Sequence, residues 1–298
     1  MFERIVATTK GCAAGLTLVL NTLVFVLAMV PFALAKLIVP AAAVRRAVDR
    51  ALNTIAGAWI GVNNAWMAAV ARTRWDVQVA DGLRMRGWYL VSSNHASWVD
   101  ILVLQKVFSG RIPLLKFFLK QELIWVPVIG LAWWALDFPF LKRGRGGASG
   151  QTDLEATRRA CERFKLIPTS VISFAEGTRF TPAKHALQRS PYRHLLKPKS
   201  GGLAIALATM GTRFDALLDV TIFYPGATPT FWDLLCGRVR EVVVRAQLRP
   251  IPPELLDAAA QASPRFRAHV QRWIDAMWQD KDRLLDELAS ARPVTGSG

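Results

Sequence analysis

The chain has 298 residues and 52% hydrophobic content, enough for one sizeable core, and its net charge of +16 comes from 38 Lys and Arg against 22 Asp and Glu. Such a balance points to an anionic partner: nucleic acid, anionic lipid or an acidic carrier. Nucleic acid is disfavoured by the high apolar content and the lack of a helix-turn-helix, zinc or RNA-binding motif. Cys12, Cys161 and Cys236 stand apart and His is scarce, so no metal site or disulfide framework is expected.

The first predicted element is Gly11 to Ala35, which carries no charge and lies between Lys10 and Lys36. It exceeds the ~20 residues needed to span a bilayer core. A signal peptide has a shorter apolar core, although Ala-Leu-Ala at 33–35 imitates a cleavage site. Ala51 to Ala71 is a second uncharged run, holding Asn53, Asn63 and Asn64. Amides in lipid are costly, so this run is expected at the interface or packed on the first helix. The connector carries Lys36, Arg45, Arg46 and Arg50, cations suited to anionic headgroups. Positive charge on both sides of each run leaves the orientation open. Residues 1–74 are read as a membrane-associated helical segment.

Residues 75–250 alternate short apolar runs with helical stretches. Trp88–Val91, Thr169–Phe174, Leu217–Phe223 and Val239–Val244 read as strands. This predicts one α/β domain, a central, mainly mixed sheet flanked by helices. After the first run comes Asn94-His95-Ala96-Ser97-Trp98-Val99-Asp100, with an imidazole and a carboxylate five residues apart. On a continuous helix five residues advance about 140°, so the two side chains would not share a face. With His95 in the turn ahead of the helix, it can fold back onto Asp100. A carboxylate on one ring nitrogen fixes the tautomer and leaves the other free as a general base.

Leu123 to Leu141 is a third apolar stretch, interrupted by Pro127, Asp137 and Pro139, and is read as interfacial or buried rather than membrane-crossing. Arg143 to Gly150 is glycine-rich and flexible, and Asp153 to Lys165 resembles a charged surface helix. Phe174-Ala175-Glu176-Gly177-Thr178-Arg179-Phe180-Thr181 follows a buried strand. There a glycine allows a sharp turn and close approach, Thr178 offers a hydroxyl, and Arg179 offers a planar fork for phosphate oxygens. Thr181 to Lys199 is polar and basic, read either as a solvated loop or as substrate-facing. Pro198-Lys199-Ser200-Gly201-Gly202 precedes the helical run Leu203–Met210, whose first amides could face an anion. Residues 251–298 are expected to hold a closing amphipathic helix over Pro264–Leu288 and a disordered tail from Arg292.

Asn94–Asp100 resembles the H-x-x-x-x-D box of the glycerophospholipid (1-acylglycerol-3-phosphate) acyltransferases, and Phe174–Arg179 resembles their F-x-E-G-T-R box. Phe138-Pro139-Phe140-Leu141-Lys142-Arg143 is similar to the box between them, without its opening glycine. Leu218–Pro225 is similar to the last box, and Lys120-Gln121-Glu122-Leu123 with Pro127 and Gly130 is similar to a lysine-containing segment. The longer run around Thr181, Lys184 and His185 looks closest to the lysocardiolipin and lysophospholipid branch.

The resemblance covers about residues 88 to 225. It implies transfer of an acyl group from an acyl thioester to the hydroxyl of a lysophospholipid, most simply 1-acylglycerol-3-phosphate. His95 would take the hydroxyl proton and Asp100 would orient the ring. Arg143, Arg179 and Lys120 would hold the acceptor's phosphate. Gly177 and Thr178 would shape that site, and Glu176 would orient the arginine or the glycerol. Oxyanion donors are expected among the amides near the histidine turn.

No cofactor is implied beyond acyl-CoA or acyl-carrier protein as co-substrate. The implied partners are an anionic phospholipid membrane and the lysophospholipid, and the implied location is a bacterial inner (cytoplasmic) membrane. Competing readings are a serine-type lipid hydrolase using Ser97 or Ser93, for which no G-x-S-x-G elbow exists, and a non-catalytic lipid-binding protein, against which the His–Asp pair argues.

Overall fold

A computed structural model describes residues 2–39, 41–138, 140–141, 162, 164, 167–257, 261 and 265–292. Two long helices open the chain, α1 (Phe2–Ile38) and α2 (Ala42–Val70). Then come β1 (Arg74–Val79), β2 (Tyr89–Ser93), α3 (Val99–Phe108), β3 (Leu115–Phe117), β4 (Leu119–Lys120), α4 (Ile129–Ala135) and β5 (Phe140–Leu141). The second half holds β6 (Ser170–Phe174), α5 (Pro182–Gln188), α6 (Gly201–Met210), β7 (Ala216–Phe223), α7 (Phe231–Leu235), β8 (Glu241–Arg249) and α8 (Phe266–Ser290).

Six strands form one sheet in the order β1-β8-β7-β2-β6-β3. β2 is parallel to both β6 and β7, and β8 is parallel to β1 but antiparallel to β7, so the sheet is mixed as expected. Every residue of β2 is buried, as a central parallel strand covered on both faces requires. Strand alternation divides the core. Tyr89, Val91 and Ile172 point to one face, under α1–α4, while Leu90, Val171 and Leu217 point to the other, under α6 and α8.

This division positions the site. The chain leaves β2 through α3, whose Val103, Leu104 and Phe108 pack on the first face. It leaves neighbouring β6 toward α6, whose Leu203, Ala206 and Leu207 pack on the second face. Connections that part to opposite faces open a crevice at the carboxyl ends of the two strands, where ligands bind in such sheets.

Among the described residues α1 is the one helix long and apolar enough to cross a membrane, by length and composition. It is not a free-standing rod. Gly11 lies against Trp232 and Cys236 of the α7 segment, and Lys36 at its other end donates to Ala135 O at 3.2 Å. Ala14, Val26, Met29 and Ala33 face inward, whereas Leu20, Val24, Leu27 and Leu37 are exposed. α2 packs on α1, and Asn21 donates to Asn63 at 2.8 Å across the pair, as expected for an amide-bearing second run.

Several expectations need correction. Lys36 is not available to headgroups: it is half-buried, and its ammonium is paired with Asp49 at 2.8 Å and with Asp137. Leu123–Leu141, by contrast, needs no correction as a non-crossing stretch: its described elements are the 3-10 turn Gln121–Trp125, α4 and β5, none of them long enough to cross a bilayer. Thr181–Lys199 is not simply a loop: Thr181 caps α5 through a bond from Lys184 N at 3.2 Å, with Pro182 in the first turn. Arg292 is held by Glu241 and Asp76 rather than trailing off in a tail. The 143–150 loop and most of the 153–165 helix lie outside the described residues.

Candidate active site

Asn94 ends β2 and fastens it. Its side-chain amide donates to Ile222 O and its carbonyl accepts from Ile222 N, both at 2.8 Å, so it continues the ladder to β7 where the main chain has turned away. The chain passes through His95 into α3, whose first residue is Val99. His95 thus precedes the helix, and Asp100 stands in the first turn, where a carboxylate is favoured by the helix dipole.

His95 Nδ1 lies 2.8 Å from Asp100 Oδ2. That oxygen also accepts from Ala96 N at 2.7 Å and Ser97 N at 2.9 Å, and Oδ1 accepts from Tyr224 OH at 2.6 Å. A carboxylate only accepts, so Nδ1 carries the proton and Nε2 keeps its lone pair. Asp100 is fully buried and every bond it makes is to a donor. The ring of His95 stacks on Phe174 with centroids 4.0 Å apart and planes 14° apart, which fixes its tilt.

The two boxes are joined through the backbone. His95 N donates to Glu176 Oε1 at 2.8 Å, and Phe180 N donates to His95 O at 2.7 Å. Glu176 is fully buried, and its other oxygen accepts from Leu196 N at 3.1 Å. It therefore ties the histidine turn to the 196 segment and does not face an acceptor, contrary to the expectation for it. Burial pushes its carboxyl up to about 7, against the pull of the two amides.

Gly177 has φ +69, a turn conformation that favours glycine. Thr178 Oγ1 accepts from Lys184 Nζ at 2.8 Å, and the same ammonium bonds Arg179 O at 2.9 Å. Arg179 is exposed, with its guanidinium 4.8 Å from the centre of the Trp98 ring. Since Phe180 is bonded to His95, the fork sits beside the histidine turn. Lys120 lies in β4 and pairs with Leu141 of β5, two residues before Arg143. Arg143 and the side chain of Lys120 lie outside the described residues.

Both candidate nucleophilic serines are engaged elsewhere. Ser97 Oγ donates to Pro229 O and accepts from Val99 N at 3.1 Å, and Ser93 Oγ donates to Asn94 O at 3.0 Å. No serine–histidine–aspartate relay is assembled among the described residues. The amides of His95, Ala96, Ser97 and Val99 are taken, which leaves Trp98 N as the amide of this turn without a hydrogen-bond partner among the described residues.

Sequence reasoning assigned no role to Tyr224, Asn94 or Lys184. For Tyr224 a signal existed, because a tyrosine at the end of a buried apolar strand must find a partner for its hydroxyl. Burial, then the charge of Asp100, raises that hydroxyl well above its usual pKa, so it stays a donor to Asp100.

A family model described as Acyltransferase matches residues 74–225. The chain is 28% identical over 181 residues to mouse 1-acyl-sn-glycerol-3-phosphate acyltransferase gamma, covering 57% of this chain and 44% of that protein. It is 29% identical over 221 residues to Arabidopsis thaliana 1-acyl-sn-glycerol-3-phosphate acyltransferase 2, covering 70% of this chain and 53% of that protein. The chain thus spans about half the length of the curated relatives it matches. The fold is similar to the crystal structure of the 1-acyl-sn-glycerophosphate (LPA) acyltransferase PlsC from Thermotoga maritima, with TM-score 0.59 and 17% identity over 99% of this chain and 100% of that one.

Proposed function

The chain belongs to the acyltransferase family, and on that premise we propose that it is a membrane-bound O-acyltransferase acting on a lysophospholipid, most simply converting 1-acylglycerol-3-phosphate to phosphatidic acid. The observation that carries this reading is the His95–Asp100 pair at the β2/β6 crevice, with Nδ1 held at 2.8 Å and Nε2 left to act as a base.

In the proposed reaction His95 Nε2 takes the proton of the acceptor hydroxyl as its oxygen attacks the thioester carbonyl. The tetrahedral adduct expels the thiolate as the C–S bond breaks, and the imidazolium returns the proton to sulfur. Asp100 stabilises the imidazolium, and Tyr224 holds Asp100. Arg179, together with Arg143 and Lys120, holds the acceptor's phosphate and so fixes the hydroxyl against His95. The donor is acyl-CoA or acyl-carrier protein. The outward apolar face of α1 lies in an anionic bilayer, a bacterial inner membrane, with Arg46 and Arg50 exposed at the start of α2 for its headgroups.

The test is to assay the purified chain with a panel of lysolipids against both donors. The reading predicts turnover with a phosphate-bearing lysolipid, and its absence across the panel ends the proposal.

Direct attack by the acceptor leaves no acyl-enzyme. Incubation with labelled acyl donor followed by mass spectrometry is expected to find Ser93 and Ser97 unmodified, and Ser97→Ala to keep activity within about tenfold, since its hydroxyl serves the helix start. A labelled serine would favour the hydrolase instead.

Arg179→Ala is expected to raise the acceptor's KM about 10- to 100-fold, the scale of a charge-assisted contact. Arg179→Lys should recover only part of it, because an ammonium lacks the fork. Steady-state kinetics with acceptor varied checks this; an unchanged KM would remove Arg179 from the phosphate site.

A further inference from the structure

Pro198–Gly202 takes no part in the transfer just described, yet it ends at the same crevice. α6 starts at Gly201, and because it packs on the second face its N-terminus lies near the carboxyl end of β6. Its first intrahelical bond runs from Ala204 N to Ser200 O at 2.8 Å. The N–H groups of Gly201, Gly202 and Leu203 precede that bond, and no side chain caps them.

A second observation points into the same place. Ser173, on β6, is 9% exposed, and its hydroxyl has no hydrogen-bond partner among the described residues. A Cβ built on Gly202 would stand 3.2 Å from that hydroxyl oxygen, so Ser173 is aimed at the first turn of α6. Gly202 thereby leaves the backbone approachable, and a Cβ on Gly201 would meet open space.

Lys199 closes a third side. Its amide donates to Ala175 O at 2.7 Å, and its ammonium lies 3.7 Å from where a Cβ on Gly177 would stand. Lys199 is exposed and has no carboxylate partner among the described residues. The nearby carboxylate, Glu176, is occupied by the amides of His95 and Leu196 and does not neutralise it.

Free amides at a helix start, an ammonium and an unpaired hydroxyl together are a donor set with no acceptor. We propose that the N-terminus of α6, with Ser173 and Lys199, is a phosphate subsite, a set of donors additional to the Arg179 fork. It binds a phosphate ester of one of the two substrates: the acceptor's, shared with Arg179, or the donor's. Both sources offer the same tetrahedral anion, suited to backbone amides and the positive end of a helix dipole. The assignment to a substrate rests on the acyl-transfer reading; the anion site itself does not.

The experiment uses the full chain in detergent micelles. Lysines are acetylated with and without inorganic phosphate, glycerol 3-phosphate or CoA, and modification of Lys199 is followed by mass spectrometry. At least one probe is expected to slow it about tenfold. Gly201→Asp is the decisive variant: an acidic residue in the first helical turn suits the dipole, so the helix persists, but its carboxylate repels phosphate. Protection should be lost in Gly201→Asp and weakened several-fold in Ser173→Ala, with the thermal midpoint confirming that each is folded. The same two variants should raise the KM of one substrate about tenfold or more. A rise for the lysolipid assigns the acceptor's phosphate, and a rise for the acyl donor assigns the donor's.

No protection of Lys199 by any probe overturns the subsite, as does protection undiminished in Gly201→Asp. Turnover with no protection and unmoved KM values leaves acyl transfer standing and removes the subsite. Protection without turnover on any lysolipid keeps the subsite and removes acyl transfer.

Discussion

Replacing His95 by alanine is expected to lower kcat for acyl transfer by at least about 10²–10⁴-fold, the contribution of a positioned general base. The surroundings are built to survive the change. His95 holds its neighbours through its backbone, N–H to Glu176 and C=O from Phe180, and both bonds remain in alanine. Asp100 keeps three donors, Ala96 N, Ser97 N and Tyr224 OH, so no buried carboxylate is stranded. The variant should therefore keep its thermal midpoint within a few degrees and still co-sediment with vesicles while turnover disappears. Near-normal turnover would exclude His95 as the base.

Asp100→Asn is expected to be nearly as severe, about 10²–10⁴-fold in kcat, for an electrostatic reason. The three donors on Oδ2 can all be met by an amide oxygen, and the Tyr224 hydroxyl can turn to accept from the amide nitrogen. Geometry is then kept while the charge that stabilises imidazolium is lost. Tyr224→Phe removes one donor to a charge that keeps its others, so a smaller loss, on the order of tenfold, is expected. Measuring the two side by side separates charge from orientation. If Asp100→Asn retained more than a tenth of normal kcat, the imidazolium would not be a feature of the transition state.

The His95–Asp100 pairing was legible because it is local. Their spacing admits one arrangement, with the histidine ahead of the helix, and the apolar run before it marks the strand that delivers it. The alternation of Tyr89, Leu90 and Val91 likewise fixes which residues face which layer. For Glu176 the sequence implied a role toward the arginine or the glycerol, whereas its burial and its bond from Leu196 N depend on a contact the local motif does not reveal. Lys36 failed for the same reason: its partner Asp49 lies in the next helix, and Asp137 lies far along the chain. The α5 start was readable, since Thr181-Pro182 is a cap followed by a first-turn proline, but the basic character of the segment obscured it. β1, Arg74–Val79, alternates Trp75, Val77 and Val79 with polar residues, yet joins the sheet only through β8, whose own position depends on β7.

The way α1 lies along the α/β body governs how the protein can be handled. Both ends of the helix rest on that body, at Gly11 against the α7 segment and at Lys36 against Ala135, so no cut separates an anchor from an enzyme. Deleting α1 would uncover the inward side chains of Val26, Met29 and Ala33 and leave Asp49 and Asp137 without their shared cation. Removing that cation leaves two neighbouring carboxylates with little access to water, a substantial loss against a typical domain's stability of about 5–15 kcal/mol. A form that exposes less apolar surface is better sought by polar replacement at the outward positions Leu20, Val24, Leu27 and Leu37, which keeps the helix as a wall of the fold while changing only its outer face.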